Sequence, residues 1–197
     1  MKKQTMITII VIAIIAIVAI VGVVIVKNNN NTTNGGTSVK IESGKDMEDM
    51  LKSIYSKNKD VLPNLETAEI DVSDSELVTS YTGIQSTENV ENLVVLEPLM
   101  SSQAYSAVAL KVKSNANVES LKEEILNNVN MRKWICVSAE KLYITNYNNI
   151  IFFVMADEDW ASATYNSFKE YVGNNIGKEL EKSGEEDIEL PPERPVV

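Results

Sequence analysis

The sequence predicts an α+β fold: a small antiparallel sheet with helices packed on one face, preceded by one transmembrane helix. Ile7–Val26 is an unbroken run of twenty residues whose only polar side chain is Thr8. At about 1.5 Å per residue such a helix reaches roughly 30 Å, the thickness of a bilayer's hydrocarbon core. Beyond it, segments of helical spacing and pairs of short apolar runs follow in the order helix, strand, strand, helix, strand, strand, helix. That order points to an antiparallel sheet with helices packed on one face.

The apolar run reads as an anchor. A cleaved signal has a core of about 7–15 residues followed by small residues two apart. Here Val23, Val24, Ile25 and Val26 fill that place, and the lone cysteine, Cys136, is too distant for lipidation. A pilin leader would need a Gly before the helix and a Glu shortly inside it, and neither stands near Met6. Lys2 and Lys3 precede the run while only Lys27 and Lys40 follow soon after, so the amino terminus is expected in the cytoplasm and the rest outside. Residues 1–27 thus form a short cytoplasmic start and anchor, with membrane contact through Met6–Val26. Residues 28–38, NNNNTTNGGTS, are a flexible polar linker. Residues 39–173 are the extracytoplasmic domain. Residues 174–197, acidic and ending in PPERPVV, lack the apolar surface to offset ordering entropy and are expected to be disordered, with PPERP a possible polyproline ligand.

Within the domain, Asp46 is expected to cap a helix whose stripe is Met47, Met50, Leu51, Ile54 and Tyr55, closed off by Pro63. Asp71–Thr87, rich in Ser, Asp and Thr, reads as irregular. Leu93–Leu96 is a short strand ended by Pro98. Val108, Leu110 and Val112 alternate with Ala109, Lys111 and Lys113, a strand with one wet face. Asn117 caps a helix carrying Val118, Leu121, Ile125, Leu126 and Val129 opposite Glu119, Lys122, Glu123 and Asn127. Leu142 and Ile144 alternate with Tyr143 and Thr145, Asn148 and Asn149 punctuate, and Ile150–Met155 is continuously apolar, which together describe a hairpin with a central second arm. Asp157, with Glu158 and Asp159 behind it, caps a last helix bearing Trp160, Thr164, Phe168, Tyr171 and Val172, and Gly173 suits its end.

The chemistry is bounded by what is missing. The chain has no histidine, so Ser-His-Asp triads, Cys-His pairs and the usual zinc sites are excluded, and no cofactor is expected. Removing Lys2, Lys3 and Lys27 from the 18 basic residues leaves 15 against 28 acidic ones beyond the anchor, a net −13 that repels nucleic acid. A single cysteine makes no internal disulfide. Cys136, within WICV, reads as a buried thiol in a strand. Glu97, Glu140, Asp157 and Glu158 are the carboxylates a glycosidase-like hydrolase could use, but in so acidic a chain neighbouring acids are expected by chance. DEDW and EEDIE lack the alternating ligands and central Gly of a calcium loop.

Arg132, Lys133 and Trp134 are the one local basic and aromatic cluster of the domain. As a binding surface, Trp134 would stack on a sugar or side chain while Arg132 pairs with a carboxylate. As structure, Trp134 would pack in the core, the account the sequence favours. Met100, in the turn before the second strand with Ser101 and Ser102, carries the same ambiguity.

The stretch from Glu97 to Val137, EPLMSSQAYSAVALKVKSNANVESLKEEILNNVNMRKWICV, and the hairpin NYNNIIFFVMADE resemble the exported bacterial family called domain of unknown function 4358. The likeness runs from about Met47 to Val172 and is most specific at RKWICV. Where that family commonly has Asn-Pro before RKW, this chain has Asn130 and Met131. The resemblance implies an α+β domain in a Gram-positive envelope and no activity. The expectation is a membrane-anchored, extracytoplasmic, non-catalytic module binding an envelope protein or cell-wall component. The alternative is an accessory to an envelope enzyme such as a membrane-bound O-acyltransferase, beside which relatives are encoded; a carboxylate-based hydrolase is a remote third.

Overall fold

A computed structural model describes residues 39–184. The span Ile7–Val26 and the spacer lie outside the described residues, among which no helix is long and apolar enough to cross a membrane. The described part is α+β, with four helices and a six-stranded antiparallel sheet. In chain order the elements are α1 (Gly44–Lys57), β1 (Leu65–Ile70), α2 (Ser75–Thr82), β2 (Val90–Pro98), β3 (Tyr105–Val112), α3 (Val118–Asn128), β4 (Lys141–Tyr147), β5 (Ile150–Ala156), α4 (Glu158–Tyr171) and β6 (Leu180–Ser183). The strand order is β1-β2-β3-β5-β4-β6. A meander of three strands is followed by a crossover through α3 to β4, and the β4–β5 hairpin then lays β5 against β3.

Helices cover both faces of the sheet, not one as the sequence suggested. Side chains alternate across a strand, and in β5 Phe152 and Val154 point to α1 and α4 while Ile151, Phe153 and Met155 point to the side of α2 and α3. Neither set tolerates water, so each face needs a cover. On the first face the Phe152 and Phe168 rings stack at 4.1 Å between centroids. The buried hydroxyls of Tyr105 and Thr164 meet at 2.9 Å. β3, expected to have a wet face, is buried on both sides apart from Lys111, because Ala107 and Ala109 are small enough to lie under α1 and α4.

The stretch expected to be irregular contains α2. The Asp74 carboxylate accepts from the N–H groups of Glu76 and Leu77, satisfying two orphan donors. Only Val78 and Thr82 of α2 are buried, too few for a visible stripe. Gly83 ends it at φ 76°, and a Cβ there would stand 2.6 Å from the backbone of Asn128 and Val129, so the glycine lets α2 abut the end of α3. Helix α1 starts earlier than expected: Ser43 is its cap and Asp46 the third residue of a capping box. The hairpin turn falls on Asn148 and Asn149, with Asn148 at φ 53°.

Of the tail expected to be disordered, residues 174–184 are ordered, and β6 pairs with β4 from Ile144↔Leu180 to Lys141↔Ser183. Backbone pairing, which needs little apolar surface, builds this edge strand. Residues 185–197 lie outside the described residues.

Candidate functional site

One end of the sheet gathers the ambiguous residues. β2 stops at Pro98, the turn to Tyr105 follows, and the chain leaving α3 returns to β4 through residues 129–140. Met131 and Ala139 are buried and the Ala139 N–H donates to the Met131 carbonyl at 2.8 Å, so residues 132–138 stand out as a closed loop. The Arg132 N–H donates to Asn130 Oδ1 at 2.9 Å, an Asx turn that sets the chain's entry into that loop. At the loop's tip the Ile135 N–H donates to the Ser101 carbonyl at 3.1 Å, tying it to the β2–β3 turn.

Between these two loops and α2 lies an open groove of about 540 Å³, lined by Tyr81, Glu97, Pro98, Leu99, Lys133 and Trp134 among others. Lys133 is its organising residue. Its ammonium contacts the Glu97 carboxylate and the Ser106 hydroxyl, 4.7 Å from the centre of the Tyr81 ring and 5.3 Å from that of Trp134. The pair is largely shielded, with side-chain exposures of 18% and 23%. Both rings are held by one cation, so the groove's aromatic lining is positioned before anything binds.

Trp134 is half-buried: it packs against the core on the α2–α3 side and also lines the groove, so it belongs wholly to neither account given by the sequence. Arg132 is exposed and lines a separate cleft with Lys182 and Gly184. Met100 is 61% exposed, between Leu99 at 76% and Ser101, both of which line the groove. Ile135, tied to Ser101, is 67% exposed. Leu77 on α2 and Val137 are also exposed; of these aliphatic side chains Leu77 and Leu99 line the groove, and Ile135 and Val137 stand exposed on the loop that carries Trp134.

Cys136 is exposed at the loop's tip with φ 62°, neither buried nor in a strand. The continuous apolar run Trp134–Val137 imitates a strand, but the tether at Ser101 and the left-handed turn at Cys136 prevent pairing. Leu99, Ile135, Tyr81 and Glu97 were not singled out as parts of a binding surface. The signal available was Leu99 and Met100 standing apolar beyond the Pro98 strand stop.

Three of the four carboxylates, Glu97, Asp157 and Glu140, hold neighbouring groups in place. Glu97 holds Lys133. Asp157 caps α4 by accepting from the Trp160 N–H at 2.8 Å, and Glu140 accepts from the Glu158 N–H at 3.3 Å. Burial, with smaller contributions from the charges of Glu140 and Asp159, pushes the Asp157 carboxyl above its ordinary value, against the Trp160 hydrogen bond. Among the described residues no three potential metal ligands cluster.

No family model matches the chain. No curated protein and no solved structure matches it either.

Proposed function

We propose that the protein is a membrane-anchored, extracytoplasmic, non-catalytic docking module of a bacterial envelope, whose groove receives an apolar segment of another envelope protein. The carrying observation is that Leu99, which lines the groove, and Met100 and Ile135 beside it are 61–76% exposed on two loops tied to each other through Ile135 and Ser101. Exposed aliphatics gathered beside a groove favour association. An apolar protein segment matches these exposed aliphatic side chains. The net −13 beyond the anchor disfavours anionic polymers and nucleic acid as partners. The anchor Ile7–Val26 and the Lys2, Lys3 flank support the location, and the resemblance at RKWICV supports the envelope context. An accessory role beside an acyltransferase is the special case in which the partner is that enzyme.

The test is a photo-crosslinking side chain at Met100 of the full chain in native membranes, with Lys113 at the opposite end of β3 as the control position. The expected result is a protein adduct from position 100 and not from 113. Equal adducts from both, or an adduct that disappears on muramidase digestion, would overturn the reading. Protease added to intact protoplasts should remove the domain; protection there followed by digestion after lysis would reverse the orientation.

A further inference from the structure

β6 ends at a cleft beside the groove. The Gly184 N–H donates to the Glu140 carbonyl at 2.7 Å, which fixes the exit of the polypeptide from β6. Gly184 shares its cleft with Asn130, Met131, Arg132 and Lys182, and Asn130 also lines the groove. The exit and the groove are therefore adjacent. From Gly184 to Pro191 is seven residues of chain, at most about 25 Å when extended. That connector carries Glu185, Glu186, Asp187 and Glu189 and leaves from a cleft bearing Arg132 and Lys182, in a domain that is otherwise strongly acidic.

After the connector comes Pro191-Pro192-Glu193-Arg194-Pro195, in which Pro192 and Pro195 have the P-x-x-P spacing of a polyproline II ligand. Such ligands dock in grooves lined by aromatic rings, which grip the proline rings at little entropic cost. The groove offers Tyr81 and Trp134, the apolar sides of Pro98 and Leu99, and the amides of Asn128 and Asn130 for the ligand's backbone. The Glu97 carboxylate, which holds Lys133, also lines the groove. We infer that Pro191–Pro195 of the chain's own tail docks in this groove, with the acidic connector running past Arg132 and Lys182, and closes the docking site until a partner displaces it. This regulation rests on the docking reading above.

The test uses a fluorescent synthetic peptide of residues 185–197 and two forms of the protein in the same detergent, the full chain and a chain ending at Gly184. Fluorescence anisotropy should show saturable binding to the shortened chain. Binding to the full chain should be weaker by at least about tenfold, because a tethered segment competes at an effective concentration near the millimolar range. A peptide with Pro192→Ala and Pro195→Ala, and a shortened chain with Leu99→Asp, should each lose at least about tenfold in affinity. Equal binding to both forms, or none up to about 0.1 mM peptide, would overturn the inference. Protection of the full chain that vanishes on dilution would assign the tail to a second copy, and overturn it as stated. If the shortened chain does not unfold cooperatively, the full chain carrying Pro192→Ala and Pro195→Ala takes its place, and must admit the peptide as the shortened chain was expected to. Crosslinking from Met100 separates this inference from the docking reading. Peptide binding as described, with no partner adduct, leaves the tail docked and removes the partner; an adduct with no peptide binding does the reverse.

Discussion

The Lys133 ammonium rests on the Glu97 carboxylate with the rings of Tyr81 and Trp134 close by, and so joins the loop after α3, the end of β2 and α2 into one wall of the groove. Most of both side chains is out of water, so their attraction is screened less than that of an exposed pair, while their desolvation is only partial. A double-mutant cycle with Glu97→Gln and Lys133→Met should give a coupling of about 1–2 kcal/mol by urea unfolding. Coupling below about 0.3 kcal/mol would mean that the wall is held by other contacts.

Trp134→Ala removes a half-buried ring. The expected loss is about 1–3 kcal/mol, below the roughly 3–5 kcal/mol of a fully buried aromatic. Thermal unfolding of the full chain in detergent measures it. A loss above that range would make Trp134 a core residue, and an unchanged midpoint would make it a contact residue alone.

Lys122 makes the sharpest contrast with its sequence surroundings. Its side chain is 0% exposed, and its ammonium lies 2.7 Å from Asn146 Oδ1, from the Lys178 carbonyl and from Glu119. It fastens α3 to β4 and to the segment leading into β6. Lys122→Met keeps the volume but strips these acceptors of their donor, at a cost of about 1–3 kcal/mol. The thermal midpoint should fall by about 2–4 °C for each kcal/mol lost, and hydrogen exchange at residues 178–183 should speed up more than elsewhere. Unchanged exchange there would contradict the fastening role.

Asp157 gives a pH dependence of known sign. Its folded-state pKa is raised above 3.8, chiefly by burial, so the folded protein holds that proton more tightly than the unfolded chain. Its contribution is therefore most favourable at pH below 3.8 and is lost as pH rises through the raised value. Asn caps a helix about as well as Asp. Asp157→Asn should thus gain in stability relative to wild type between pH 3 and pH 7, measured by urea midpoints. A relative loss over that interval would reverse the assignment.

What the sequence disclosed depended on how much apolar surface each element buries. The β4–β5 hairpin was legible because Asn148 and Asn149 interrupt two apolar arms. The caps at Asn117 and Asp157 were legible because a polar side chain directly precedes a stripe. β1 escaped because its edge position allows Glu66 and Glu69 to remain, charges that also discourage edge pairing. β6 escaped because Leu180 is its only apolar side chain. Lys122 was placed on the wet face of α3 by spacing alone; its partners at Asn146 and Lys178 are tertiary and leave no local trace. For the site, RKW and Met100 were visible as candidates, but the tie between Ile135 and Ser101 that brings them together is a backbone hydrogen bond no side-chain pattern announces.

The claim that the groove's border is a docking surface is tested most directly by Leu99→Asp combined with Ile135→Asp, scored for folding and for crosslinking from Met100 in the same membranes. Both side chains are mostly exposed, so stability should change by no more than about 0.5 kcal/mol per site. The partner adduct should fall by about tenfold or more, since two charges would face an apolar segment. An unchanged midpoint with an undiminished adduct would contradict the account.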